Sequence, residues 1–236
     1  MQHSGAEPKE VINCMKSIGF IPVFYHADAN MILQMIKIAY GCGARIFEFL
    51  HQRDNRGLRI FSWLAEQAGD MPGLMLGAGT VLDSVMTERY IQAGAHFIGS
   101  PFLRKDMADV CNHANILWMP GCSTQADILQ AHALKAKVVM VLPGNILGPD
   151  FLRKAVNEFS TLSFVPSGGI DISENSLRTW MNAGALSVRL GDSLFERESL
   201  VIKDWTRIEN NIHGVMHTIQ KVKSQGRKNS TLNSLL

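Results

Sequence analysis

The first residue with chemical promise is Glu48, which sits inside the apolar stretch Arg45–Leu50, RIFEFL. Burying an unpaired carboxylate is costly, so Glu48 needs either a cationic partner or a task. Two readings stand side by side: an ion pair with Arg45 or Arg53, or a proton-transfer role in a cleft. His26 and His51 follow short apolar runs on either side of it and could bind an acid or help a metal; as polar rim residues they would do neither. Cys122 is a lone thiol with no obvious base nearby, which points to packing rather than nucleophilic chemistry. His213 and His217 lie four apart on a helical pattern. They lack the glutamate and third ligand of a zinc site, so an exposed pair is the expectation and no metal site is assigned.

These residues need a scaffold, and the apolar pattern supplies one. Short β-rich runs alternate with amphipathic segments. Strands are expected at Ile21–Tyr25, Arg45–Leu50, Leu74–Gly77, Ala95–Gly99, Ile116–Met119, Lys137–Leu142, Leu162–Val165 and Leu186–Leu190. Helices are expected at Met31–Tyr40, Leu58–Ala68, Ser84–Ala93, Arg104–His113, Thr124–Leu134, Pro149–Phe159 and Ser173–Ala183, with a closing helix over Leu200–Lys223. An extra helix, Pro8–Ile18, precedes them. Eight strand–helix units in this length predict an α/β fold of the closed (β/α)8 barrel type, a single domain over 1–223. The polar segment 224–236 is expected to be a disordered tail. In such a barrel the chemistry collects at the C-terminal ends of the strands. That places His26, Glu48, His51, Arg53, Thr80, Ser100, Pro101, Cys122, Met140, Pro143, Ser167 and Arg189 at one mouth.

Composition narrows the partners. The 236 residues carry a net charge of +2, with both signs spread along the chain, so neither nucleic acid nor a membrane surface is expected. No apolar run is long enough to span a bilayer. The polar opening MQHSGAEPKE reads as no signal peptide, and four cysteines without a CxxC pair read as reduced thiols, so a cytoplasmic location is expected.

Seven stretches, in order from Ile21 to Gly191, carry a resemblance: IPVFY, GARIFEF, LGAGTVLD, AGAHFIGSP, WMPGCST, the VLPG ending a strand, and VPSGGI. Together they resemble the 2-keto-3-deoxy-6-phosphogluconate (KDPG) / 4-hydroxy-2-oxoglutarate aldolases. The resemblance implies a lyase of carbohydrate metabolism, commonly trimeric, working on 2-oxo acids such as pyruvate without a cofactor. It implies Schiff-base chemistry by a lysine on the sixth strand. Carried over by residue, Glu48 matches the proton-shuttling glutamate, Thr80 the substrate-holding threonine, and Ser100-Pro101 the serine-proline after strand four. Arg53 matches the arginine, set one residue further from Glu48. Ser167-Gly168-Gly169 and Ser193 match the phosphate-holding turns, and Pro143 the proline ending strand six.

Strand six departs from the pattern. Where the family has its lysine three residues before that proline, this chain has Met140. Lys137 lies an odd number of residues away, so it should face the helices, and Lys135 precedes the strand. The last strand departs too: Arg189 could pair with an anion, and Asp192 would repel a phosphate unless it points away. The expected function is binding of a small 2-oxo acid or phosphorylated sugar acid by a homotrimer, with Schiff-base cleavage lost or much reduced. Two alternatives remain: a lyase or isomerase using Glu48 with a histidine or metal electrophile, and a non-catalytic barrel that partners or regulates another protein.

Overall fold

The computed structural model describes residues 6–52 and 56–233, with side chains up to residue 225. Eight parallel strands run β1 (Phe20–Phe24), β2 (Ile46–Leu50), β3 (Met75–Gly79), β4 (Phe97–Ser100), β5 (Leu117–Cys122), β6 (Val138–Val141), β7 (Ser163–Pro166) and β8 (Val188–Leu190). Their order is sequential, with β8 returning to pair beside β1. The remaining seam, between β7 and β8, is bridged by Leu186 N–H donating to the Phe164 carbonyl at 2.9 Å. The result is the expected eight-stranded (β/α)8-type barrel.

Alternation within each strand sorts the core into two clusters. Phe47, Phe49, Trp118, Val139, Val141 and Phe164 face outward, into the layer between sheet and helices. Ile21, Val23, Ile46, Phe97, Leu117, Met119, Val138, Met140 and Val165 fill the lumen. Val11 and Met15 of α1 (Pro8–Ile18) belong to that same inner cluster, so the extra N-terminal helix plugs the barrel floor. The chain turns from α1 into β1 at Gly19, whose φ of 86° is the left-handed conformation glycine adopts freely.

The helices are α2 (Ala29–Gly41), α3 (Gly57–Gln67), α4 (Ser84–Gln92), α5 (Lys105–His113), α6 (Gln125–Ala133), α7 (Gly144–Glu158) and α8 (Glu174–Asn182). Each matches an expected helix to within a few residues except α7, which begins at Gly144 and kinks at Gly148, where φ is 75° and ψ 168°. Local polar caps start several of them: Asp28, Asp83, Thr124 and Ser173 side chains each accept from an amide in the first turn.

The single closing helix is in fact two, α9 (Arg197–Ile202) and α10 (Trp205–Asn233). The break falls at Lys203, which takes a left-handed φ of 56°, and Asp204 then accepts from Arg207 N–H at 3.0 Å to start α10. Helix α10 continues to Asn233, so backbone expected to be unstructured is helical to that point. Extending a formed helix costs far less than nucleating one, and lysine, glutamine and arginine are good helix formers.

Candidate active site

Strand alternation fixes Glu48 first. Ile46 and Glu48 share a parity and point into the lumen, and Glu48 is fully buried. Glycines on the neighbouring strands make room for it. A Cβ on Gly79 of β3 would lie 1.7 Å from Glu48 Oε1, and one on Gly99 of β4 would lie 2.9 Å from it. Only a strand surface without side chains lets the carboxylate lie flat there.

The cation that answers Glu48 comes from the far side of β1. Arg189, at the centre of β8, donates from Nε to Glu48 Oε2 at 2.8 Å and from Nη2 to Oε1 at 2.5 Å. Its Nη1 donates to Ser167 Oγ at 2.5 Å. The Arg189 side chain is 8 % exposed and that of Glu48 0 %. A bidentate guanidinium–carboxylate pair is among the strongest polar contacts, and removing one partner of a buried pair costs about 3–5 kcal/mol. Arg189, and not the expected Arg45, is therefore the partner of Glu48 among the described residues. Arg45 instead donates from Nη1 to the Tyr40 and Ala44 carbonyls, and its guanidinium lies 4.0 Å from the centre of the Tyr40 ring. Arg53 lies outside the described residues.

Above this pair opens a cavity of about 500 Å³. Val23, Leu50, Met140 and Leu142 give it apolar walls, and Arg189 lines it. Met140 is 1 % exposed and sits mid-strand in β6, paired in register with Gly121 and Val165. The polar side is built from Thr80, Ser167, Gly168, Gly169 and Ser193. Thr80 holds a left-handed φ of 58°, an uncommon backbone state for a β-branched residue that packing around a site must sustain. The Ser167–Gly169 turn is tied to the start of α7: Gly144 N–H donates to the Ser167 carbonyl at 2.6 Å and Asn145 N–H to that of Gly168 at 3.0 Å. Gly168 and Gly169 have φ of 89° and 67°, and a Cβ on Gly169 would meet the Asn145 side chain at 2.5 Å. Ser193 donates to the Ile170 carbonyl at 2.8 Å.

Two carboxylates border this side. The Ser173 hydroxyl and amide hold Asp171 below the usual carboxylate range, with the amide at 2.7 Å. Asp192 lines the cavity as well and is exposed.

Not every residue expected at the mouth faces the cavity. Pro101 lines it, but Ser100 is buried beside the outer layer, accepting from Trp118 Nε1 at 2.9 Å and donating to the Phe102 carbonyl at 3.0 Å. Pro143 is the N-cap residue of α7 and does not line the cavity. The His51 ring packs edge-on against Tyr90 of α4, with Nδ1 2.8 Å from the Tyr90 hydroxyl, so it faces the helices. His26 Nδ1 accepts from Asp28 N–H at 3.0 Å in the turn before α2. Cys122 is fully buried, and burial pushes its thiol up to about 12. His213 and His217 are exposed on α10. Among the described residues, no three His, Cys, Asp or Glu side chains gather as a metal site would require. No helix among them is long and apolar enough to cross a membrane. Lys137 is exposed and borders a small recess with Pro8 and Asn115, away from the mouth residues.

The residue the sequence reading underused is Arg189. Sequence alone offers it as an anion partner without identifying Glu48 as the anion. The signal was present: two opposite charges, each inside an apolar strand and each at lumen parity.

The chain can now be set beside known proteins. It is 28 % identical over 189 residues to a KHG/KDPG aldolase of Escherichia coli K12, covering 80 % of this chain and 86 % of that one. It is 24 % identical over 189 residues to a 2-dehydro-3-deoxy-phosphogluconate aldolase of Pseudoalteromonas atlantica, covering 80 % and 85 %. A KDPG aldolase from Legionella pneumophila, solved with pyruvate as a covalent carbinolamine, superposes with a TM-score of 0.78 at 19 % identity, covering 89 % of this chain and 98 % of that one. The Zymomonas mobilis ZM4 enzyme, solved with 3-phosphoglycerate, gives 0.76 at 23 %, covering 89 % and 96 %. These likenesses at low identity establish the shared barrel. The family model for KDPG and KHG aldolase matches residues 11–211, most of the chain, and this protein belongs to that family.

Proposed function

We propose that this protein binds a small 2-oxo acid or phosphorylated sugar acid in the mouth of its barrel and does not cleave it through a Schiff base. The observation that carries this reading is Met140. It stands where the family pattern has its lysine, mid-strand in β6, and its side chain lines the cavity. A thioether cannot form an imine, so no iminium can take up the electron pair released when a carbon–carbon bond next to a carbonyl breaks.

The Glu48–Arg189 pair supports the same reading. A proton shuttle must exchange its proton with the reacting carbon. Both Glu48 oxygens accept from one guanidinium, so Glu48 would first have to give up part of a buried ion pair. In this reading Arg189 supplies the charge balance that Glu48 needs in a lumen without a lysine.

The remaining mouth suits binding. The Ser167-Gly168-Gly169 turn and Ser193 form the phosphate side, and Thr80 and Pro101 lie on the substrate side, with Arg53 assigned there from the family pattern. The His51 ring, turned toward Tyr90, speaks against a lyase that uses it as an electrophile. We propose a cyclic homotrimer on the strength of the family resemblance; light scattering that returned a monomer mass would overturn that assembly.

The test is paired. Calorimetry with KDPG, pyruvate and 2-oxoglutarate is expected to show binding of at least one. An assay for pyruvate release from KDPG should stay at background. No binding by folded protein would favour a barrel that acts through a protein partner; release above background would refute the loss of cleavage.

A further inference from the structure

We propose that Arg189 selects the ligand of this mouth by holding the carboxylate of a small organic acid, and that a carbonyl beside that carboxylate is not required. The proposal rests on the reading of the mouth as an acid-binding site and names the group that does the binding.

A guanidinium has five N–H donors. Nε and one N–H of Nη2 go to Glu48, and one N–H of Nη1 goes to Ser167. One N–H on each terminal nitrogen is left, and neither meets an acceptor among the described residues. Buried donors are nearly always satisfied, and this side chain is more than nine-tenths buried with the cavity beside it. Ser167 adds a third donor. Its oxygen accepts from Arg189, it lines the same cavity, and no acceptor for its own O–H is found among the described residues, which leaves that O–H able to donate to a ligand.

Arg189 and Ser167 therefore place donors at this end of the cavity, where both oxygens of Glu48 already accept from the guanidinium; the other charged acceptors lining the cavity are the carboxylates of Asp171 and Asp192. A carboxylate, with two oxygens and a full charge, matches two N–H groups and a hydroxyl better than a single neutral oxygen does. The walls decide the rest of the molecule. Val23, Leu50, Met140 and Leu142 give the cavity that Arg189 lines aliphatic walls, which suit a short carbon chain. None of these four can bond covalently to a ketone or donate a hydrogen bond to it. Along these walls oxo, hydroxy and unsubstituted acids of equal length bind alike; the Thr80 hydroxyl on the polar side adds at most one neutral hydrogen bond to a 2-oxo or 2-hydroxy group, worth about threefold.

The probes are pyruvate, lactate, propionate and, as the uncharged control, pyruvamide, titrated into the full chain and followed by ligand-observed NMR. The three acids are expected to bind within about threefold of one another, with pyruvamide at least about tenfold weaker, the scale of charge-assisted hydrogen bonds. Arg189→Met alone would strand Glu48, so the loss-of-function variant is Glu48→Leu with Arg189→Met, checked for folding by circular dichroism. It should lose binding of all three acids by about tenfold or more. Glu48→Gln keeps the guanidinium and removes the competing charge, and should bind the acids more tightly than the native protein.

Strong preference for pyruvate over lactate and propionate, or unchanged binding in the double variant, would overturn the role of Arg189. The acid-binding reading would survive either result. Failure of the native protein to bind any of these acids, or KDPG, would overturn both.

Discussion

Glu48 of β2 and Arg189 of β8 meet inside the barrel across the intervening strand β1, the two carboxylate oxygens accepting at 2.8 and 2.5 Å from one guanidinium. Everything distinctive about this mouth follows from that pair and from the methionine on β6. The carboxylate lies on the bare surfaces of Gly79 and Gly99, the guanidinium reaches on to Ser167, and the cavity opens above them.

The first consequence is for stability. Arg189→Met leaves a fully buried carboxylate without its cation and should destabilise the fold by about 3–5 kcal/mol. Replacing both partners, as Glu48→Leu with Arg189→Met, should recover most of that loss, because apolar groups of similar size replace a buried pair at little net cost. Urea unfolding of the two variants and the native chain measures the difference. A double variant less stable than the single one would mean that the pair acts through neighbours other than each other.

The second consequence separates imine formation from turnover. A lysine placed at position 140 would be buried in the cavity that Arg189 also lines, and burial lowers an amine pKa, which keeps part of it neutral and nucleophilic. Met140→Lys should therefore be trapped by pyruvate and borohydride, with the added mass on residue 140. The kcat for KDPG cleavage should rise appreciably only when Arg189 is also replaced by Met, because that change frees Glu48 to move protons, while KM rises as the substrate carboxylate loses its guanidinium. Cleavage by Met140→Lys alone at the rate of the combined variant would show that the ion pair does not restrain Glu48.

A third prediction concerns the thiols. Burial pushes Cys111 and Cys122 up to about 12 from an ordinary value of 9.0, and Cys14 to about 11. Folding thus favours their protonated forms. The stability this contributes is present in full below about pH 9, where the thiols are protonated folded or unfolded, and is lost as pH rises toward 11–12. Iodoacetamide at pH 8 should label Cys111 and Cys122 of native protein slowly, while half-buried Cys42 reacts faster. Peptide mass mapping over time reads the order; fast labelling of Cys122 would show an accessible thiolate at the mouth.

The barrel was legible because its signal is local and repeated: eight apolar runs of strand length, each followed by a helical pattern. The inward direction of Glu48 and Met140 was legible from the same alternation. The partner of Glu48 was not. Residues 48 and 189 are far apart in sequence, and only closure of the sheet through β8 and β1 brings them together, so sequence-local reasoning points to nearby arginines such as Arg45, which the structure instead places on the Tyr40 and Ala44 carbonyls. The orientations of His51 and Ser100 were hidden for a related reason. Each lies at a strand end, where one residue of shift moves a side chain from lumen to helix layer. The split between α9 and α10 rests on the left-handed state of a single lysine, which composition does not announce.

The most direct test of the central claim is the mass of the native chain after treatment with pyruvate and borohydride. With Met140 in the lumen and Lys137 exposed away from the mouth, no covalent gain is expected and the mass should stay that of the untreated protein. A pyruvate-derived adduct that maps to one lysine would contradict the account, because it would mean that another amine reaches the ligand and that Schiff-base chemistry survives in this barrel.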